Sequence, residues 1–229
     1  MSSSPSPFTI AHRAGNSYAA LDRALAAGVD GVEIDVRLEG SHFAGRHDSR
    51  LFRLPVYGGR WHVRFSLARS SILDEVLHRA AGRVTLLVDV KNTGERELRL
   101  LLDALKAHDA IDGTLISSCY WDIMRSTQES EPELRVYYSI GNPKELRRFW
   151  ERQRATHEAK GVSIKEGLLD EALVRRFLDE GIEIAAYHVY DLPHARQLVE
   201  WGVAVIISGD LSLLRTLKEW PERDAERRP

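Results

Sequence analysis

The feature that most restricts the fold is an alternation running the length of the chain: short apolar segments of strand character, each followed by a segment with apolar residues at helical spacing. "PFTIAHR" precedes "SYAALDRALAAG", whose helical pattern stops at Gly28. "GVEIDVRL" leads through a turn-rich stretch to the helix "SILDEVLHRAAG", and "VTLLVDVK" leads to "ERELRLLLDALKAHDA". The strands "GTLISSC", "LRVYYSI", "GVSIKEG", "IEIAAYHV" and "VAVIISGD" continue the series, each with its helix: "WDIMRSTQES", "NPKELRRFWERQRATHEAK", "LLDEALVRRFLDEG", "LPHARQLVEWG" and "LSLLRTLKEW". Strands alternating with helices imply parallel strands covered by their crossovers, and eight such units in 229 residues is the count that closes a (β/α)8 TIM barrel. An open doubly wound sheet is the rival, but no G-x-G-x-x-G follows the first strand. The expectation is one barrel domain over residues 1–229. The single long irregular stretch, residues 48–70 with Pro55, Gly58 and Gly59, is expected to form a loop or hairpin over one barrel mouth.

Composition narrows the function classes. Lys and Arg number 32 against 34 Asp and Glu, so there is no global basic field to attract a polyanion, and nucleic acid is not an expected partner. The lone cysteine, Cys119, excludes an internal disulfide framework and reads as a small buried residue. The start "MSSSPSPFTI" has neither a basic n-region nor an apolar h-region, and no apolar run approaches the roughly 20 residues of a membrane span, so a soluble, cytoplasmic protein is expected.

Barrel enzymes carry their reactive groups at the C-terminal ends of strands, and the residues standing there are informative. Strand 1 ends in His12-Arg13. Strand 2 holds Glu33 and Asp35, two apart and so on one face, between Val32, Ile34 and Val36. An extension of that strand is expected to reach His47-Asp48, and strand 3 ends in Asp89 and Lys91, again two apart. Three carboxylates gathered at one mouth repel, raising their proton affinity, unless a cation neutralises them. An all-oxygen set without thiolate suits one hard divalent cation, Mg2+ or Ca2+, rather than zinc. Arg13 and Lys91 beside it suit an anionic group such as phosphate, and His12 and His47 titrate near working pH and suit general acid and base. Phosphodiester cleavage is the chemistry these groups predict. Taken singly, each has a plainer explanation: His12 as a hydrogen-bonded structural histidine, Lys91 as an ion-pair partner of Asp35 or Asp89, and Asp48 as an orienter of its neighbour.

The segments "AHRAGN", "VEIDVRL", "RHDSRL" and "LLVDVKN" resemble the glycerophosphodiester phosphodiesterase family, whose pattern runs His-Arg-Gly, Glu-x-Asp, His-Asp and then Glu-x-Lys. The likeness extends to "TLISSCYWDIM" and "LVEWGVAVIISGDLSLL". It implies a (β/α)8 barrel, a divalent ion, and hydrolysis of a small glycerophosphodiester to glycerol phosphate and an alcohol. Carried over by position, it makes Glu33, Asp35 and Asp89 the metal ligands, His12 and His47 the acid-base pair, and Arg13 and Lys91 the phosphate contacts. It also implies attack on phosphorus by the substrate's own neighbouring hydroxyl. The chain departs from the pattern in four places: the loop after His12-Arg13 is short and lacks the family's Glu, Asp89 stands for the strand 3 Glu, Tyr187-His188 replace a Trp-Thr, and no large insertion follows His47-Asp48. Two other readings stay open beside hydrolysis of small diesters: phospholipase D-like action on lysophospholipids, which an open mouth with apolar lining around residues 51–67 ("LFRLPVYGGRWHVRFSL") would permit and whose enzymes Asp89 also resembles, and a barrel that binds metal and phosphate without turnover.

Overall fold

In chain order the elements are β1 (Phe8–Ala11), α1 (Tyr18–Ala26), β2 (Gly31–Glu39), β3 (His42–Gly45), β4 (Ser49–Leu51), β5 (Val56–Gly58), β6 (Val63–Phe65), β7 (Ser71–Ile72), α2 (Leu73–Ala80) and β8 (Thr85–Val90). They continue with α3 (Glu95–Ala107), β9 (Thr114–Ser118), α4 (Trp121–Ser130), β10 (Arg135–Ile140), α5 (Pro143–Thr156), β11 (Gly161–Lys165), α6 (Glu171–Asp179), β12 (Glu183–Tyr187), α7 (Leu192–Trp201), β13 (Val205–Ser208) and α8 (Leu211–Lys218). The computed structural model describes residues 6–51, 56–58, 63–65, 70–91 and 94–220, without the side chains of 49–51, 56–58 and 63–65.

Eight of these strands pair in parallel in the order β1-β2-β8-β9-β10-β11-β12-β13, and β13 returns to β1, so the sheet closes into the expected (β/α)8 barrel. Period two decides where each strand residue goes. On β2, Val32, Ile34 and Val36 face outward into the layer shared with the helices, all at 0% exposure. Leu86, Val88 and Val90 do the same on β8, packing with Leu98, Leu101, Leu102 and Leu105 of α3. The alternate residues fill the barrel: Ile10, Leu87, Leu115, Tyr137, Ala185, Val205 and Ile207 form a separate inner cluster. Above that plug the same inward face carries Glu33, Asp35 and Asp89, so polar groups stand at the mouth while the floor stays apolar.

The helix boundaries follow from capping chemistry. Asn142 accepts from the N–H groups of Lys144 and Glu145 at the start of α5, with Pro143 in the first turn, and Asp170, Asp191 and Asp210 cap α6, α7 and α8 in the same manner. No helix among the described residues is long and apolar enough to cross a membrane.

One expected connection takes a different route. β2 does not extend to His47; it ends at Glu39, turns at Gly40 (φ 63°), and β3 runs back antiparallel to it with Val36 opposite Gly45. The turn needs the left-handed conformation that glycine adopts without cost, and polarity alone does not reveal the reversal. β7 adds to β3, also antiparallel. In the 48–70 stretch, β4, β5 and β6 form a three-stranded antiparallel sheet, while residues 52–55, 59–62 and 66–69, on which its expected cover over the mouth depends, lie outside the described residues.

Candidate active site

The end of β1 delivers the first two groups. His12 is fixed by its backbone N–H, which donates to the Ser208 carbonyl at 2.8 Å, and Arg13 takes a left-handed conformation (φ 55°) that ends the strand and starts a short 3-10 turn, Ala14–Asn16. A non-glycine residue held there stores strain, which the surroundings sustain through two contacts. The Arg13 N–H donates to Glu33 Oε2 at 2.5 Å, and Asn16 grips Asp35 from both sides, its Nδ2 donating to Oδ2 at 2.8 Å and its Oδ1 accepting from the Asp35 N–H at 2.9 Å. Ser17 then caps α1.

The tight turn depends on Gly15. A Cβ there would stand 2.5 Å from the Ile34 Cβ and 3.2 Å from the Glu33 carbonyl oxygen, and the Gly15 carbonyl itself accepts from the Ser71 hydroxyl. Ile34 is on a central barrel strand and cannot retreat. Gly15→Ala is therefore expected to destabilise the protein by about 1–3 kcal/mol, the usual cost of overpacking, read as a lower midpoint of denaturant unfolding. An unchanged midpoint would mean that the turn yields.

Register places the carboxylates. Asp35 and Asp89 are direct partners across the β2–β8 ladder, so their side chains rise side by side, with Glu33 one step below on the same face. Glu33, Asp35 and Asp89 each offer an oxygen, all lying within 4.8 Å of one another. Glu33 is 4% and Asp35 1% exposed, a burial that isolated carboxylates do not tolerate. The neighbours treat the three unequally. Burial pushes Glu33 well above the usual carboxylate range, with Asp35 and Asp89 adding to the effect. Burial likewise raises Asp89, although Lys91 opposes it. For Asp35 burial is outweighed by Lys91, Arg13 and the Asn16 amide, which hold its carboxyl below the ordinary value. Lys91 Nζ lies 3.0 Å from Asp35 Oδ1 and 2.5 Å from Asp89 Oδ2, and Arg13 Nε lies 3.3 Å from Asp35 Oδ2. Burial lowers the Lys91 ammonium, but Asp89 and Asp35 more than reverse this and hold its proton tightly. The sequence alternative that Lys91 pairs with Asp35 or Asp89 is thus realised with both. A compact set of oxygen donors that repel one another when ionised fits a hard divalent cation.

The two histidines flank this cluster. His12 is largely buried, with Nε2 4.0 Å from Glu33 Oε2. Burial, reinforced by Arg13 and His188, pulls its imidazole down to about 4. His47 stands just past β3, half exposed, with Nδ1 3.1 Å from Asp48 Oδ1. Asp48 thus orients its neighbour, and a proton on Nδ1 leaves Nε2 as the acceptor. Arg37, two residues beyond Asp35, donates from Nε to the His47 carbonyl (2.9 Å) and from Nη1 to the Lys91 carbonyl (3.2 Å), tying the returning loop to the end of β8.

All seven residues singled out by the sequence, His12, Arg13, Glu33, Asp35, His47, Asp89 and Lys91, line one cavity of about 210 Å³ at the C-terminal mouth of the barrel. The opposite wall, less defined in the sequence, is built by Glu145, Tyr187 and His188, with Ser117, Ser139 and Ser163 between. Cys119, expected to be buried, is exposed: it is the first residue past β9 and stands at the mouth. His188 has φ 63° and packs edge-on against His12, their ring centres 4.9 Å apart. Two non-glycine residues in the left-handed region, Arg13 and His188, thus meet on the catalytic candidate His12, the kind of place where backbone strain concentrates. Glu145 was legible in principle, since it sits in the first turn after a strand end, but a carboxylate three residues past an Asn cap reads first as helix capping.

Neither a family model nor a curated protein matches the sequence. Solved structures do match. A phosphodiesterase of Oleispira antarctica, in complex with its product sn-glycerol-3-phosphate, is 22% identical with a TM-score of 0.73, the alignment covering 92% of this chain and 96% of that one. A glycerophosphodiester phosphodiesterase of Parabacteroides distasonis is 19% identical with a TM-score of 0.73, over 96% and 99% of the two chains. That of Thermotoga maritima is 18% identical with a TM-score of 0.69, over 92% and 98%. The fold of this chain is that of the solved glycerophosphodiester phosphodiesterases.

Proposed function

We propose that this chain hydrolyses small glycerophosphodiesters to glycerol phosphate and an alcohol. The observation that carries this reading is the convergence of three carboxylates, two cations and two histidines on one cavity, at the end of the barrel where such enzymes work. The likeness to a barrel solved with sn-glycerol-3-phosphate supports the same substrate class. Glu33, Asp35 and Asp89 would hold one divalent cation, Mg2+ or Ca2+. When bound, such an ion draws charge from the phosphoryl oxygens. Arg13, exposed enough at its guanidinium to meet a ligand, and Lys91 hold the anionic phosphoryl group. His12 and His47 exchange protons with the attacking and departing oxygens, one as base and one as acid. Burial keeps His12 neutral at neutral pH, as a base requires.

A lysophospholipid would need an apolar trough for its acyl chain. Leu87 and Ile207 are the only aliphatic side chains among the described lining of the cavity, and both belong to its floor. The stretch 51–67, whose apolar residues would line such a trough, has no described side chains, so substrate turnover decides between the two readings. The test is turnover with Mg2+ or Ca2+: release of glycerol phosphate and free alcohol from a soluble glycerophosphodiester is the expected result. Turnover of lysophosphatidylcholine alone would favour the lipid reading, and binding of Mg2+ and glycerol phosphate without turnover of any diester would favour the binder.

A further inference from the structure

The charge on the cavity wall is uneven. Its lining carries four carboxylates, Glu33, Asp35, Asp89 and Glu145, against two fixed cations, Arg13 and Lys91. Both cations lie against the β2–β8 pair of aspartates. A divalent ion at the three clustered carboxylates brings the sum to zero, and a phosphodiester monoanion returns it to one negative charge. That surplus is on the far side of the mouth, at Glu145. In the barrel order, β1, β2 and β8 occupy one side and β10, β11 and β12 the other.

Glu145 follows β10 in the first turn of α5. One of its oxygens, Oε2, accepts from the Gly141 N–H at 2.6 Å, and no lysine, arginine or histidine among the described residues forms an ion pair with it. The positive end of the α5 dipole makes an ionised carboxylate tolerable there without a cation. Tyr187, at the end of β12, sits beside it: the phenol oxygen lies 3.4 Å from the Ile140 carbonyl oxygen. A point at the position of a Gly141 Cβ is 3.0 Å from that phenol oxygen and 3.4 Å from Glu145 Oε2. The Glu145 carboxylate and the Tyr187 phenol thus close in around Gly141, and all three line the cavity. Burial, with the charges of Glu145 and Asp89, pushes the Tyr187 phenol up to about 12, so it stays neutral and leaves the corner with one negative charge.

We propose that Glu145 and Tyr187 form a subsite for a cationic arm of the substrate, so that diesters of ammonium alcohols are preferred over diesters of neutral ones. The inference rests on the phosphodiester reading and adds the headgroup class to it. A carboxylate and an aromatic face are the two groups that recognise a primary or quaternary ammonium, through a charge-assisted hydrogen bond or a cation–π contact. A phosphate held at Arg13 and Lys91 leaves one alcohol arm to cross the roughly 210 Å³ cavity toward this corner.

The test compares glycerophosphoethanolamine and glycerophosphocholine with the neutral glycerophosphoglycerol, in the wild-type chain and in Glu145→Gln. Glutamine keeps an oxygen to accept the Gly141 N–H and removes only the charge, so the start of α5 is preserved. The expected result is a preference for the cationic diesters in kcat/KM of about tenfold, the size of one charge-assisted hydrogen bond, falling at least fivefold in Glu145→Gln mainly through KM. Affinities for the same three diesters, measured by calorimetry with Mg2+ in His12→Ala and in His12→Ala/Glu145→Gln, read the subsite independently of turnover and are expected to show the same loss of preference. If Glu145→Gln weakens cationic and neutral diesters alike, or if no preference exists in either measurement, the subsite is not there. Failure of the wild-type chain to turn over any diester, with the binding preference present, would instead sink the hydrolase reading and leave the cationic subsite standing.

Discussion

Replacing His12 by alanine is expected to lower kcat for a glycerophosphodiester by about 10²–10⁴-fold, the contribution of one positioned acid or base, while the barrel remains folded. The side chain is placed by elements that the substitution does not touch. Its backbone N–H is anchored on Ser208, and the turn that follows is held by Glu33 and Asn16 rather than by the imidazole. What is lost is the ring itself, 4.0 Å from Glu33 and edge-on to His188. His47→Ala is expected to produce a loss of the same order, because His47 lines the same cavity with Nδ1 engaged by Asp48. If the two histidines act as a pair within one reaction, the double variant falls scarcely below the worse single one. Rates of alcohol release, with circular dichroism confirming the fold, measure all three. A His12→Ala enzyme within threefold of the wild type would remove His12 from the chemistry.

The barrel was readable because its signals are local and repeated. A strand such as "VTLLVDVK" and a helix such as "WDIMRSTQES" differ in period, and the alternation itself implies parallel pairing. The helix "WDIMRSTQES" is found with those bounds, and β8 is one residue shorter at each end than its reading. The cluster of carboxylates was readable for a related reason. Glu33-x-Asp35 and Asp89-x-Lys91 each declare a shared face, and strand ends declare the mouth. The pairing of Asp35 with Asp89 is a matter of register, which no local pattern encodes. The reversal at Gly40 escaped for the same reason: "RLEGSHFAG" carries no Asn-Gly or Asp-Gly turn, and a continued strand fits its polarity as well as a hairpin does. Arg37 was invisible as a site residue because it acts on the backbone carbonyls of His47 and Lys91, and the resemblance of Asn16-Ser17 to the family's Asn-Thr does not reveal that Asn16 holds Asp35 from both sides, since only the folded chain brings these partners near. Cys119 was misplaced because small apolar character predicts burial only on average, and the strand ends one residue too soon to cover it.

The carboxylate cluster makes a second large prediction, in stability rather than rate. In metal-free protein Glu33 keeps its proton to higher pH than it does in the unfolded chain, because burial and its two acidic neighbours oppose ionisation. Across that window the folded state binds more protons, so this group's contribution to stability is present at low pH and is lost as pH rises above the ordinary glutamate value. Asp35 behaves oppositely: its depressed value makes its contribution present near neutrality and lost as pH falls below the ordinary aspartate value. A bound divalent ion removes the penalty on Glu33 by neutralising the cluster, and its stabilising effect therefore grows with pH. At about 100 times its dissociation constant, Mg2+ or Ca2+ is expected to add about 2.7 kcal/mol, which raises Tm by about 5–10 °C for a chain of this size. Glu33→Gln keeps the shape and removes one repelling charge. The metal-free variant is expected to lose less stability than the wild type as pH rises above the ordinary glutamate value, and to bind the ion at least tenfold more weakly. Thermal melts of chelated protein with and without added cation, at several pH values, read both effects. A cation that leaves Tm unmoved at every pH, or that stabilises wild type and Glu33→Gln equally, would show that these three oxygens are gathered for some purpose other than holding a metal.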